Sequence, residues 1–194
     1  MAVIKAVSSK AGIGHAIDYV TKKEKTEEKL VSGLHCEAET AKEEMQATKE
    51  LWEKTGGRTY KHFVQSYHKD EKISPEQAHQ NALQLAENTP AWNGFEILVA
   101  THKDKDHIHC HLVTNSVSYE DGRKLHNTRK DLERMKQLTN QMCRERGLTV
   151  AEKGKHFDGS QIEKGEVIAW SKDKYNLFRQ QVKDSFVADC AMAV

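Results

Sequence analysis

The sequence predicts an α+β domain: a central antiparallel β-sheet covered by helices on one face. Three observations carry this. Residues 2–8, 59–68, 95–102 and 108–117 are rich in β-branched and aromatic residues, as strands are. The last two runs are joined by a tight charged turn, Lys103 to Asp106, which is a hairpin signature. Between and after the strands lie segments with helical periodicity. Strands adjacent in sequence are therefore expected to pair antiparallel, with helices over the apolar side.

The elements follow in order. Residues 2–8 read as a strand, which Gly12 and Gly14 interrupt. Residues 15–23 read as a short helix, with Ile13, Ala16, Ile17 and Val20 on one face. Residues 24–35 are charged and loop-like. Residues 39–55 form an amphipathic helix with Met45, Thr48, Leu51 and Trp52 inward, ended by Gly56-Gly57. After the strand at 59–68, Ser74-Pro75-Glu76-Gln77 is a helix start: Ser caps, Pro opens, and Gln77 completes a capping box. That helix runs to about Asn88. The hairpin follows. Residues 128–146 form a long helix with Leu132, Met135, Leu138, Met142 and Cys143 inward, stopped by Gly147. Residues 151–169 are loop-rich, and a last helix runs from Trp170 to about Val187. The expected organisation is a main domain over 1–150 and a helical extension of the same domain over 151–194, continuing into a longer protein.

Composition narrows the function classes. With 30% charged residues and a mean hydropathy of −0.77, the chain reads as soluble, without membrane insertion. The N-terminal strand lacks the long apolar core of a signal peptide. Net charge is only +1, so the chain is no general polyanion binder, and any nucleic-acid contact rests on local patches. The four cysteines, Cys36, Cys110, Cys143 and Cys190, form no CxxC pair. Reduced thiols in a cytoplasm fit them best.

Chemistry concentrates in His102-Lys-Asp104-Lys-Asp106-His107-Ile-His109-Cys-His111-Leu-Val-Thr-Asn115. Strand alternation puts His107, His109, His111, Val113 and Asn115 on one face, with Ile108, Cys110, Leu112 and Thr114 on the other. The second set suits a core under helices, so the histidine face is expected to be open or to line a cleft. Residues two apart on a strand are about 7 Å apart and residues four apart about 14 Å. With metal–nitrogen bonds near 2.1 Å, His107 and His111 do not readily share an ion. Two neighbouring histidines do, with a third ligand from elsewhere, and His102 at the end of the partner strand is well situated. Asp104 and Asp106 would orient the rings. Imidazoles accept Zn, Mn, Co or Ni. The bland alternative is a surface hairpin that happens to be rich in His and Asp.

His102-x-Asp104-x-Asp106-x-x-His109-x-His111-x-x-x-Asn115 resembles the third motif of conjugative relaxases, mobilisation nucleases of the HUH endonuclease superfamily. The similarity is greatest to the MobP type and spans at least residues 2–147. It implies the palm-like HUH fold and a metal held by His102, His109 and His111, leaving His107 as an extra histidine. In function that metal would be Mn or Mg, with Zn, Ni or Co tolerated. The helix Ala16-Ile17-Asp18-Tyr19-Val20-Thr21 corresponds to the segment carrying the family's nucleophilic tyrosine. The family's middle motif, a strand ending near a serine and then a Pro-Glu helix, corresponds to Val64-Gln65-Ser66-Tyr67 and Ser74-Pro75-Glu76.

The resemblance implies nicking and rejoining of single-stranded DNA at an origin of transfer, through a 5′-phosphotyrosyl intermediate on Tyr19. Asp104 and His107 are the accompanying catalytic candidates, with Asp18 a further candidate base. Lys22, Lys23, Ser66, Lys103, Lys105 and Asn115 are the candidate DNA contacts. The implied partners are a hairpin beside a nick site, a relaxosome accessory protein and the coupling protein of a secretion system. The implied setting is a bacterial cytoplasm, with transfer to a recipient attached to DNA. Tyr60, Tyr67, Tyr119 and Tyr175 compete with Tyr19, and Tyr119 is the runner-up because it follows the histidine strand. A rolling-circle replication initiator using Tyr175, a metal-dependent nuclease using water, and an inactive DNA-binding module are the alternatives.

Overall fold

The structure, a computed structural model, describes residues 1–7, 11–152 and 155–161. The chain divides into two units, Met1–Ala151 and Glu152–Val194. In the second, the described residues form an isolated bridge between Lys155 and Gln161 and a turn in which Asp158 accepts from Ser160. The helix expected from Trp170 lies outside the described residues.

The first unit is built on five strands: β1 (Ala2–Val7), β2 (Val31–Leu34), β3 (Tyr60–Tyr67), β4 (Ile97–His102) and β5 (His109–Asn115). Its helices are α1 (Ile13–Val20), α2 (Ala41–Leu51), α3 (Pro75–Glu87) and α4 (Arg129–Glu145). The sheet runs β1-β3-β5-β4-β2 with every neighbouring pair antiparallel. The α+β class is as the sequence predicts. Two details of topology differ. Sequence neighbours β3 and β4 do not pair, because β5 inserts between them. The segment read as loop contains β2, a four-residue edge strand too short to show alternation.

Helices cover both faces rather than one. On one side α3 and α4 pack over Ala2, Ile4, Phe63, Tyr67, Val99 and Leu112. On the other, α1 and α2 pack with Leu98, Ala100, Tyr60 and Val113. Every residue of β4 and β5 is buried. The near-continuous apolar run of β4 already suits a strand covered on both sides.

Local signals fix the helix boundaries. Ser74 and Thr128 each close a capping box, with Gln77 and Asp131. Thr21 ends α1 by returning its hydroxyl to the Ile17 carbonyl at 2.9 Å. In α2 the expected inner stripe is only partly right. Met45 is buried, but Leu51 is 77% exposed and Lys49 is 1% exposed, its ammonium donating to the Met45 carbonyl at 2.7 Å. The helix ends at Leu51, and Glu53 takes a left-handed conformation (φ 52°) that redirects the chain before another inward turn forms.

Candidate metal centre and nucleophile

The β4–β5 register pairs His102 directly with His109, and Ala100 with His111. Alternation therefore puts all three imidazoles on the face that α1 covers. Their ring centroids lie 4.2 Å (His102–His111), 5.0 Å (His102–His109) and 5.1 Å (His109–His111) apart. One ring nitrogen from each lies within 4.8 Å of the others. Of the two expectations for this face, open or lining a cleft, the open one does not hold. His102, His109 and His111 are 1%, 7% and 6% exposed, because α1 lies across them.

The hydrogen bonds select which nitrogens converge. His102 Nε2 is 2.9 Å from the Val20 carbonyl oxygen. A carbonyl only accepts, so Nε2 carries the proton and Nδ1 keeps a lone pair. His109 Nδ1 donates to the His107 carbonyl at 3.4 Å, leaving its Nε2. His111 Nδ1 is 2.8 Å from His62 Nε2. Among the described residues, His102 Nδ1 and His111 Nε2 are buried with no hydrogen-bond partner. Burying a polar atom unsatisfied costs about 1–3 kcal/mol, and two such atoms converge here. Three neutral imidazoles, each turned by a contact on its other nitrogen, are the donor set of a divalent-metal site. The residues fit the metal that the sequence implies.

Burial holds the cluster neutral. It pushes His109 down to about 4, helped by neighbouring His102, and His62 down to about 4 in the same way. Burial also lowers His102 and, with His62 beside it, takes His111 well below its ordinary value. Neutral imidazole is the form that ligates.

Tyr19 lies against this cluster. Its ring centroid is 6.0 Å from those of both His102 and His111. Among the described residues its ring meets those two histidines and Lys25, and no hydrogen bond holds its hydroxyl. Helix α1 buries Ile13, Ala16, Ile17 and Val20, which leaves Tyr19, half-buried, at the margin of that stripe. The His102–Val20 bond ties the metal-site strand to the residue that follows Tyr19.

The competing tyrosines lie elsewhere. Tyr60 and Tyr67 are core residues at 6% and 3% exposed. Burial pushes the Tyr67 hydroxyl far up, and it accepts from the Asn81 amide at 3.0 Å. Tyr119 stacks on His35 beyond Asn115, the end of β5 opposite His109, so it does not stay near the site. Tyr175 lies outside the described residues.

The chain matches the family described as Relaxase, MobA/VirD2-like nuclease domain, over residues 19–148. It belongs to that family. It is 36% identical over 185 residues to Protein rlx of Staphylococcus aureus, covering 95% of this chain and 55% of that protein. A second Protein rlx from the same organism is 31% identical over 192 residues, covering 97% and 57%. The Group II intron-interrupted relaxase LtrB of Lactococcus lactis subsp. cremoris is 36% identical over 63 residues, covering 32% and 11%. This relaxase domain therefore spans about half the length of the Staphylococcus relatives.

The remaining candidates of the relaxase domain divide by location. Ser66 pairs with His109 across β3–β5 and shares the histidine face. Lys22 and Lys23 follow α1; Lys103 and Lys105 are exposed in the β4–β5 turn. The Lys103 ammonium is paired with Glu27. His107 precedes β5 with its ring 5.2 Å from that of His109, outside the converging set, and contributes its carbonyl. Asp104 is exposed, and its negative charge favours the protonated forms of His102 and His109. The Asp18 carboxylate is engaged by Lys42 at 3.1 Å.

Asn115 requires a correction. It is fully buried, and its amide donates to Glu96 at 2.5 Å and to the Met45 carbonyl at 3.1 Å. Its oxygen accepts from the Ser116 N–H at 2.8 Å. A side chain with these partners, at the end of β5 away from His109, braces α2 rather than contacting DNA. Sequence reasoning also passed over His62. It sits one strand over at matching parity (Tyr60, His62, Val64, Ser66), a signal that becomes visible only once β3 is known to pair with β5.

Proposed function

We propose that this domain nicks and rejoins one DNA strand at an origin of transfer, with Tyr19 as nucleophile. The contact of the Tyr19 ring with His102 and His111 carries the reading. The phenolic oxygen attacks the scissile phosphorus in line. The Tyr19 O–P bond forms, the bond to the 3′-oxygen breaks, and that oxygen takes up a proton. The product is a 5′-phosphotyrosyl enzyme and a free 3′-hydroxyl, which preserves the diester energy for rejoining. His102, His109 and His111 would hold a divalent ion, Mn or Mg in function, which when bound would supply Lewis-acid stabilisation of the phosphoryl oxygens.

His107, half-exposed beside His109, is the candidate base for the phenolic proton, and Asp104 its electrostatic companion. Lys22, Lys23, Lys103, Lys105 and Ser66 contact the DNA backbone around the scissile phosphate. The domain acts in a bacterial cytoplasm on a hairpin and nick site. An accessory protein and a coupling protein then deliver the covalent complex to a recipient. Among the described residues no helix is long and apolar enough to cross a membrane.

The test uses labelled single strands tiling the non-coding DNA beside the gene, with each metal, read as a covalent shift on a denaturing gel. Wild type and Tyr175→Phe are expected to give the adduct and Tyr19→Phe none. An adduct with Tyr19→Phe removes the assignment. Loss with Tyr175→Phe alone favours a replication-initiator arrangement. Free 5′-phosphate without adduct favours a water nucleophile.

A further inference from the structure

The segment after Tyr19 returns to the metal site and is clipped to it. Lys25 N–H bonds the Lys22 carbonyl at 2.9 Å, and Thr26 N–H bonds the same oxygen at 3.2 Å. Thr26, 6% exposed, donates its hydroxyl to the Thr101 carbonyl at 2.7 Å. The Lys25 carbonyl accepts from Lys103 N–H at 3.0 Å. These anchors sit immediately before and after His102, so the strap is held by the strand end that carries that histidine.

The strap directs one side chain inward. The Lys25 ammonium stands 4.0 Å from the centroid of the Tyr19 ring, over its face. Its charge is also felt at His102 and His111, where it opposes protonation. Of the neighbouring cations, Lys22 is partnered with Glu24, Lys29 with Glu27 and Glu76, and Lys103 with Glu27, while Lys23 and Lys105 are solvent-exposed. Among the described residues no carboxylate pairs with Lys25. A cation left unneutralised beside a site suited to a divalent cation is unfavourable by itself. It becomes favourable when an anion enters between them, and the anion of this reaction is the scissile phosphodiester.

We infer that Lys25 is a further residue of the nicking site, holding the Tyr19 ring by cation–π contact and stabilising the negative charge that passes from the phenolic oxygen to the phosphoryl group. The inference rests on Tyr19 being the nucleophile. A structural lysine would affect folding or DNA affinity. This one acts on the transfer step, in which the Tyr19 O–P bond forms as the P–O3′ bond breaks.

The experiment compares wild type, Lys25→Met, Lys25→Arg and Tyr19→Phe as full chains on the single strand that wild type nicks, with Mn. The readouts are the single-turnover adduct rate at saturating DNA, DNA affinity by anisotropy and thermal melting. Lys25→Met, which keeps the apolar stem, is expected to slow adduct formation by about tenfold or more while DNA affinity falls by less than about threefold. Lys25→Arg, which retains charge and cation–π contact, is expected to recover most of the rate. An unchanged rate with Lys25→Met overturns the inference, as does a loss confined to DNA affinity or a lowered melting temperature that Arg does not rescue. Tyr19→Phe separates the two readings. If it abolishes the adduct while Lys25→Met is unaffected, only the Lys25 assignment falls. If it retains the adduct, or wild type forms none, both fall.

Discussion

Thr101 and His102 are consecutive on β4 and face opposite sides of the sheet, and each leads to a buried histidine environment of a different kind. On the α3 side, His79 is 2% exposed, with Ser32 Oγ 2.8 Å from one ring nitrogen and Thr101 Oγ1 3.0 Å from the other. On the α1 side, His102 and His111 are equally buried, but each has one nitrogen bonded and one bare. Burial alone therefore does not distinguish a site from a core. What distinguishes them is the count of satisfied nitrogens: two make a structural histidine, one makes a ligand in waiting.

That contrast can be broken at several points, most severely at a ligand. Replacing His111 with Ala is expected to abolish stoichiometric Mn binding by titration calorimetry and, with it, adduct formation. Persistence of tight binding would mean the bare nitrogens do not converge on an ion. His62→Ala acts one shell out. By freeing His111 Nδ1 it is expected to weaken metal affinity by about 10–100-fold without eliminating it. An unaltered affinity would show that the 2.8 Å contact does not orient the ring. His79→Ala is the mirror experiment. It removes the partner of the Ser32 hydroxyl and one of the two partners of the Thr101 hydroxyl, which keeps its bond to Cys110 Sγ, and opens a cavity, so chemical denaturation should report a loss of about 2–4 kcal/mol. Metal binding should be unchanged, and a change would erase the distinction between the faces.

The smallest effect is graded by pH. His62 and His109 titrate at about 4 in the folded chain against an ordinary 6.5. Between those values the unfolded chain binds protons that the folded chain excludes. Stability in chelator is thus fully present above about pH 6.5 and declines as pH falls toward about 4. Melting temperatures across that range check the sign. Added metal should weaken with acid over the same interval, because protons compete for the ligand atoms.

The sequence made the strand face legible: alternation and reach left two neighbouring histidines plus His102 before any fold was known, and the family resemblance chose His109 and His111 over His107. The capping box at Ser74 was likewise legible, because it closes within four residues. Leu51 was placed inward wrongly, since helical periodicity does not say where a helix stops. Strand β2 was missed because four residues at an edge carry too little pattern. Asn115 was misassigned because its partners, Glu96 and the Met45 carbonyl, come from other elements.

By itself, then, the sequence determined the α+β class, the strand face on which the histidines stand and, through resemblance, Tyr19 as the candidate nucleophile. These are properties of residue spacing and local hydrogen bonding. The tertiary structure alone decided that β5 lies between β3 and β4, which brings His62 behind His111. It also decided that α1 covers the histidine face, which brings Val20 to His102 and Tyr19 to the cluster, with Lys25 above the ring. Those relations depend on which elements pack across the sheet, and contacts between residues as distant as Val20 and His102 leave no periodic trace in the chain.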